Sequence, residues 1–164
     1  MAKERMIDFY TKCRKEIGYQ LKYKTIQRVI KDKTYNFRII VAICNECGKE
    51  KDIPGLIDYN MDEIDKQYRK AEGIVSVEDI NKLMNIYNIG KAPLSIALGF
   101  GEITIIRYLA GQIPSKEYSD IIKKALLSPN YMIELLNKNA KKIGQTTYTK
   151  AKKEAEKIAS LSDI

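Results

Sequence analysis

Residues 91–111 constrain this chain more than any other stretch. They read as two short helical segments, residues 93–98 and 102–110, joined by the turn Gly99-Phe100-Gly101. Two helices joined so briefly pack closely at a steep angle, and that geometry makes demands at fixed offsets. Leu94 and Leu98 supply the apolar side chains of the first segment, and Ser95 is small where the second must cross it. Gly99 can adopt the positive φ of a tight turn. Phe100 plugs the turn, and Ile105 and Tyr108 anchor the second segment from behind. Every one of these positions carries a residue that suits it, whereas a chance pair of amphipathic segments would satisfy only some.

Helical periodicity surrounds this pair. Ser76 with Asp79 three residues on makes a capping-box start, and Val77, Ile80, Leu83, Met84 and Tyr87 fall on one face before Gly90. Pro114-Ser115 opens another helix, with Tyr118, Ile121, Ile122, Ala125 and Leu126 on its apolar face. Ser128-Pro129 restarts the chain as a cap and first-turn proline, and Met132, Leu135 and Leu136 follow. The pattern predicts an all-α domain of five helices over residues 76–143. Residues 144–164, rich in Lys, Glu and Ala, are predicted to be a basic C-terminal tail, as an exposed helix or a frayed end.

The N-terminal part has a different period. Tyr19, Leu21, Tyr23 and Thr25 alternate with Gln20, Lys22 and Lys24, as in a half-buried strand. Lys31-Asp32-Lys33 is the candidate turn, and residues 35–43 return as a second strand. A lone hairpin is marginal in water and needs a staple or a partner surface. Cys44-Asn45-Glu46-Cys47-Gly48 follows at once, and Pro54-Gly55 breaks the chain. Residues 56–75 are predicted to be a linker holding a helix over 61–71, ended by Gly73. The whole reads as an α+β chain: a small β-hairpin domain over 1–55, the linker helix, the helical domain and the tail.

Charge is uneven. The net charge is +8, but residues 76–137 carry as many acidic as basic side chains, so the excess lies at the two ends. A basic balance suits nucleic acid, where phosphate contacts dominate affinity, and equally suits simple solubility. The chain has three cysteines and no histidine. An odd count argues against a disulfide framework, and the missing histidine removes the commonest catalytic base. With no phosphate loop and no nucleophile motif either, the sequence predicts a binding protein, not an enzyme. It holds no apolar run near the ~18 residues of a membrane span, and Met1-Ala2-Lys3-Glu4-Arg5 leads into no apolar signal core, so the expected location is cytoplasmic, with no membrane partner.

The run Leu98-Gly99-Phe100-Gly101-Glu102-Ile103-Thr104, then Arg107-Tyr108, Gly111 and Pro114-Ser115, resembles the helix-turn-helix of lambda-repressor-like antitoxins. The order of hairpin, cysteine pair, linker and helices over residues 9–139 is similar, more narrowly, to the MqsA/YgiT-type antitoxin family. The resemblance implies a zinc-ribbon-like hairpin domain that engages a cognate toxin. It also implies a helix-turn-helix domain that binds double-stranded DNA as a homodimer on a palindromic operator, autoregulating a type II toxin-antitoxin system. The family has two Cys-x-x-Cys pairs. Cys44 and Cys47 form one; the other would fall at positions 10 and 13, where Tyr10 and Cys13 stand. Two readings stay open: a zinc site of Cys13, Cys44 and Cys47 with an acidic or water fourth ligand, or a hairpin that has lost its metal, since structural zinc usually takes four closed ligands.

Such a motif puts its second helix into the major groove. The outward positions are Gly101, Glu102, Ile103, Ile106 and Arg107, with Thr104 at the edge and Lys91 and Lys116 as flanking cations. Arg107 suits a phosphate or a guanine edge, Thr104 a phosphate or thymine methyl, and Glu102 a cytosine amine. Ile103 and Ile106 offer only apolar contact. An apolar patch with a charged rim also suits a protein interface, so the alternative is an adaptor that keeps the fold but no longer reads DNA.

Overall fold

The structure is a computed structural model that describes residues 7–10 and 15–162, with side chains from 18 to 161. It is an α+β chain of two compact units, residues 1–68 and 69–164, and the division falls inside a helix.

The first unit is an antiparallel sheet in the order β1 (Ile7–Tyr10), β2 (Lys15–Ile30), β3 (Lys33–Cys44) and β4 (Glu50–Lys51). The long β2–β3 hairpin is the one expected from the alternation. Its turn is only Lys31-Asp32, because Ile30 pairs with Lys33. Both turn residues have positive φ, 49° and 65°, which is the type I′ geometry that suits the twist of a hairpin and favours Asn-Gly. A side chain in that region costs about 1 kcal/mol or more. Replacing Lys31-Asp32 by Asn-Gly is therefore expected to raise stability by about 1 kcal/mol, read as a higher midpoint of denaturation; a lower midpoint would count against this turn.

The partner surface that the hairpin needs is α1 (Leu56–Glu72), which begins five residues before the predicted helix. Its Asn60 amide donates to Ile40 O (2.8 Å) and accepts from Ile40 N (2.9 Å). One β3 pairing unit along, Gln67 does the same to Arg38 O (2.7 Å) and Arg38 N (2.9 Å). Two carboxamides thus stand in for a neighbouring strand and satisfy an otherwise open edge. Beside them Tyr68 meets the Tyr35 ring edge-on at 5.4 Å, and Tyr35 stacks on the buried Phe37. The first four turns of the predicted linker are therefore part of the sheet unit's own fold.

In the second unit, described by itself, α2 (Val77–Ile86) starts with the capping box of Ser76 and Asp79. Then come α3 (Lys91–Ala97), α4 (Thr104–Leu109), α5 (Lys116–Leu127), α6 (Pro129–Lys138), the single turn α7 (Ala140–Ile143) and α8 (Gln145–Ser162). Ser115 and Ser128 cap α5 and α6 through Tyr118 N and Tyr131 N. One core runs through the unit, with Ile80, Leu83, Leu94, Ile105, Ile122, Met132 and Leu136 wholly buried. Tyr87 is buried among them and donates its hydroxyl to Ala125 O at 2.9 Å; burial pushes its phenol pKa up.

The C-terminal segment departs from expectation. Instead of an exposed or frayed tail, α8 packs on α6 and buries Ala151 and Ala155 completely. Two alanines one turn apart let the helices approach closely, yet they present too little apolar area to register as a stripe. Tyr148 and Ile158 pack against the same core.

Candidate nucleic-acid interface

The α3–α4 pair is held by a small set of contacts. Ser95, wholly buried on α3, donates its hydroxyl to Lys91 O (3.0 Å) and accepts from Ile105 N (3.0 Å). One oxygen thus satisfies a backbone N–H in the first turn of α4, where no carbonyl of that helix can reach. Gly99 has φ +81°, and Gly99 N and Phe100 N donate back to Ile96 O and Ser95 O. Phe100 is buried in the turn, stacked on Tyr118 at 4.0 Å between centroids and edge-on to Tyr108 at 6.5 Å. Ile105 and Tyr108 hold α4 from inside.

With α4 fixed from behind, its other side is free. Gly101, Glu102, Ile103, Ile106 and Arg107 are exposed, Thr104 is half-buried at the margin, and Lys91 is exposed at the start of α3. Ile103, the N-cap residue of α4, and Ile106 within the helix keep 49% and 43% of their surface open. Lys116 behaves differently from the other candidates. It donates to Gly73 O (3.0 Å) and pairs with Asp120 (3.1 Å), and Lys123 donates to the same carbonyl. Both ammonium groups stabilise the C-terminal end of α1.

Two residues escape the sequence reading. Ile113, 40% exposed between Gly111 and Pro114, adds an apolar side chain just after α4; its only signal is an isoleucine in a glycine–proline loop. Arg69 is 2% exposed, donating to Val75 O (3.0 Å) and Gly111 O (3.4 Å), so it ties the approach to α2 to the turn that ends α4. A cation in a charge-rich helix gives no local sign of such burial. On α8, Lys150, Lys153 and Lys157 are exposed, and Lys157 pairs with Glu154 at 3.5 Å.

Cys44 and Cys47 form a tight turn at the end of β3. Cys47 N donates to Cys44 Sγ (3.4 Å), Gly48 N to Cys44 O (3.0 Å), and Gly48 has φ +70°. Cys44 is buried and Cys47 exposed. Cys13 lies outside the described residues. Among the described residues no three His, Cys, Asp or Glu side chains gather where they could hold a metal. The described thiols supply half of a closed tetrahedral set and so do not by themselves fit a structural zinc ion.

The sheet unit also carries a cleft of about 290 Å³ between the hairpin face and α1. There the Arg38 guanidinium lies 3.7 Å over the Tyr23 ring, with Tyr59 and Glu63 on the opposite wall. Among the described residues no helix is long and apolar enough to cross a membrane. Neither a family model nor a curated protein matches this chain.

Proposed function

We propose that the chain is a DNA-binding regulator of the antitoxin kind. In this reading the second unit is a lambda-repressor-like helix-turn-helix domain whose α4 enters the major groove. A homodimer then binds a palindromic operator with half-sites about one helical turn, roughly 34 Å, apart. The sheet unit, with its Tyr23–Arg38 cleft, is the part left to engage a cognate toxin. The observation that carries the reading is the Ser95 bridge to Ile105 N, which locks α3 and α4 at close approach while leaving Gly101, Glu102, Ile103, Ile106 and Arg107 outward. The sequence resemblance to MqsA/YgiT-type antitoxins supports the same assignment. The function is binding throughout and needs no catalytic step.

The direct test is a mobility shift with random duplex DNA at low salt. Binding is expected, with affinity falling as salt rises, because each phosphate contact releases counterions. Arg107→Ala is expected to weaken binding about tenfold or more, the cost of one good base or phosphate contact. Absence of any shift at low salt overturns the reading. It would favour the second one, a protein-binding adaptor, which the exposed Ile103 and Ile106 and the charge-neutral stretch 76–137 around them support.

A further inference from the structure

We infer that Ile103 and Ile106 read the 5-methyl groups of thymine, so that the DNA this chain selects carries thymines under the start of α4. The inference rests on the DNA-binding reading above and adds what the outward strip can distinguish.

The argument begins with what these side chains lack. Neither isoleucine has a donor or an acceptor, so neither can use the hydrogen-bonding pattern of a base edge. The thymine methyl is the one apolar group that the major groove presents. Ile103 and Ile106 remain about half exposed although Ile105 and Tyr108, on the opposite side, are buried. Neither belongs to the core of this unit. Their spacing also fits. Residues three apart on a helical turn place their Cβ atoms about 5–6 Å apart, and stacked bases follow every ~3.4 Å along a strand. The two side chains thus fall on neighbouring or next-but-one base pairs.

Charge places the strip over bases instead of the backbone. Residues 76–137 are neutral overall, and Glu102 stands exposed beside Ile103. A carboxylate there disfavours close approach to phosphate. Arg107, next to Ile106, is the cation within the strip and supplies a polar contact at its edge. The turn preceding α4 cannot swing away to offer another face. Gly99, Phe100 and the Ser95 bond to Ile105 N fix it.

The experiment has two stages. Duplexes bound by the full chain are selected from a random pool, and each selected thymine is then replaced by deoxyuridine, which removes the methyl and leaves pairing intact. The half-sites are expected to hold one or two thymines at fixed spacing, and deoxyuridine at each is expected to weaken binding about fourfold, the value of one buried methyl. Ile103→Ala and Ile106→Ala should each bring the thymine-to-deoxyuridine affinity ratio close to one at its own position. Their unfolding midpoints should match the parent chain, as suits exposed side chains. Selected sites without thymine, or deoxyuridine duplexes bound as tightly as thymine ones, overturn this inference and leave DNA binding standing. No binding to any duplex at low salt, with the strip engaging protein instead, overturns both.

Discussion

Arg69→Met is expected to lower the stability of the helical unit by about 3 kcal/mol. Methionine fills most of the arginine's volume, so the change isolates the guanidinium. That group is 2% exposed and donates to Val75 O and Gly111 O. Hydrogen bonds from a charged donor contribute about 1.5–3 kcal/mol each, and a buried carbonyl left without a donor loses the water it would otherwise bind. The longer bond, to Gly111, stands at the weaker end of that range. For a unit of this size 3 kcal/mol corresponds to a fall of more than ~10 °C in the unfolding midpoint. Because Gly111 follows α4, the outward strip should loosen before the core melts, and amide exchange in residues 104–111 should quicken. Arg69→Lys keeps one donor and should recover part of the loss. A midpoint shift of a degree or two would mean that water replaces the guanidinium, and that the arginine is dispensable to the fold.

The contrast between Arg69 and Ser95 shows what the sequence makes legible. Ser95, Gly99 and Phe100 answer to the geometry of a helix pair, and that geometry is local, so their offsets could be read directly. The β2–β3 hairpin was readable for the same reason, through an alternation within one segment. Asn60, Gln67 and Arg69 answer instead to backbone groups 6 to 42 residues away. In the sequence they look like the solvated face of a charged helix, and α1 accordingly reads as a connector. Nothing local marks which polar side chain will find a distant carbonyl. Ala151 and Ala155 were missed for a different reason. Alanine favours helix everywhere and carries little apolar surface, so its burial depends on whether α6 comes close. Lys116 is the converse case: a cation that seemed free for phosphate is taken by the end of α1 and by Asp120. Of the candidate strip, the positions from Gly101 to Arg107 were legible because they are what remains once the inward residues of α4 are assigned.

Ser95→Leu is expected to cost the helical unit about 4 kcal/mol. Two effects add. The side chain is wholly buried, and its Oγ lies 3.0 Å from both Lys91 O and Ile105 N, so the space beyond Cβ is filled by the backbone of α3 and α4. Leucine puts three carbons where one oxygen stood and must push the helices apart, and overpacking of a filled core costs about 1–3 kcal/mol. Ile105 N–H also loses its acceptor at a buried position, which adds about 1–3 kcal/mol. Ser95→Ala separates the two effects, since it removes the acceptor and adds no bulk; it should cost about 2 kcal/mol. The alanine variant should stay folded and, on the proposed DNA-binding reading, bind DNA with modestly reduced affinity, because Phe100 and the Gly99 turn still set the angle of α4. The leucine variant should lose DNA binding along with its cooperative transition. If it instead unfolds at the parental midpoint, α3 and α4 are not in close approach at Ser95, and the helix-turn-helix reading loses the contact on which it stands.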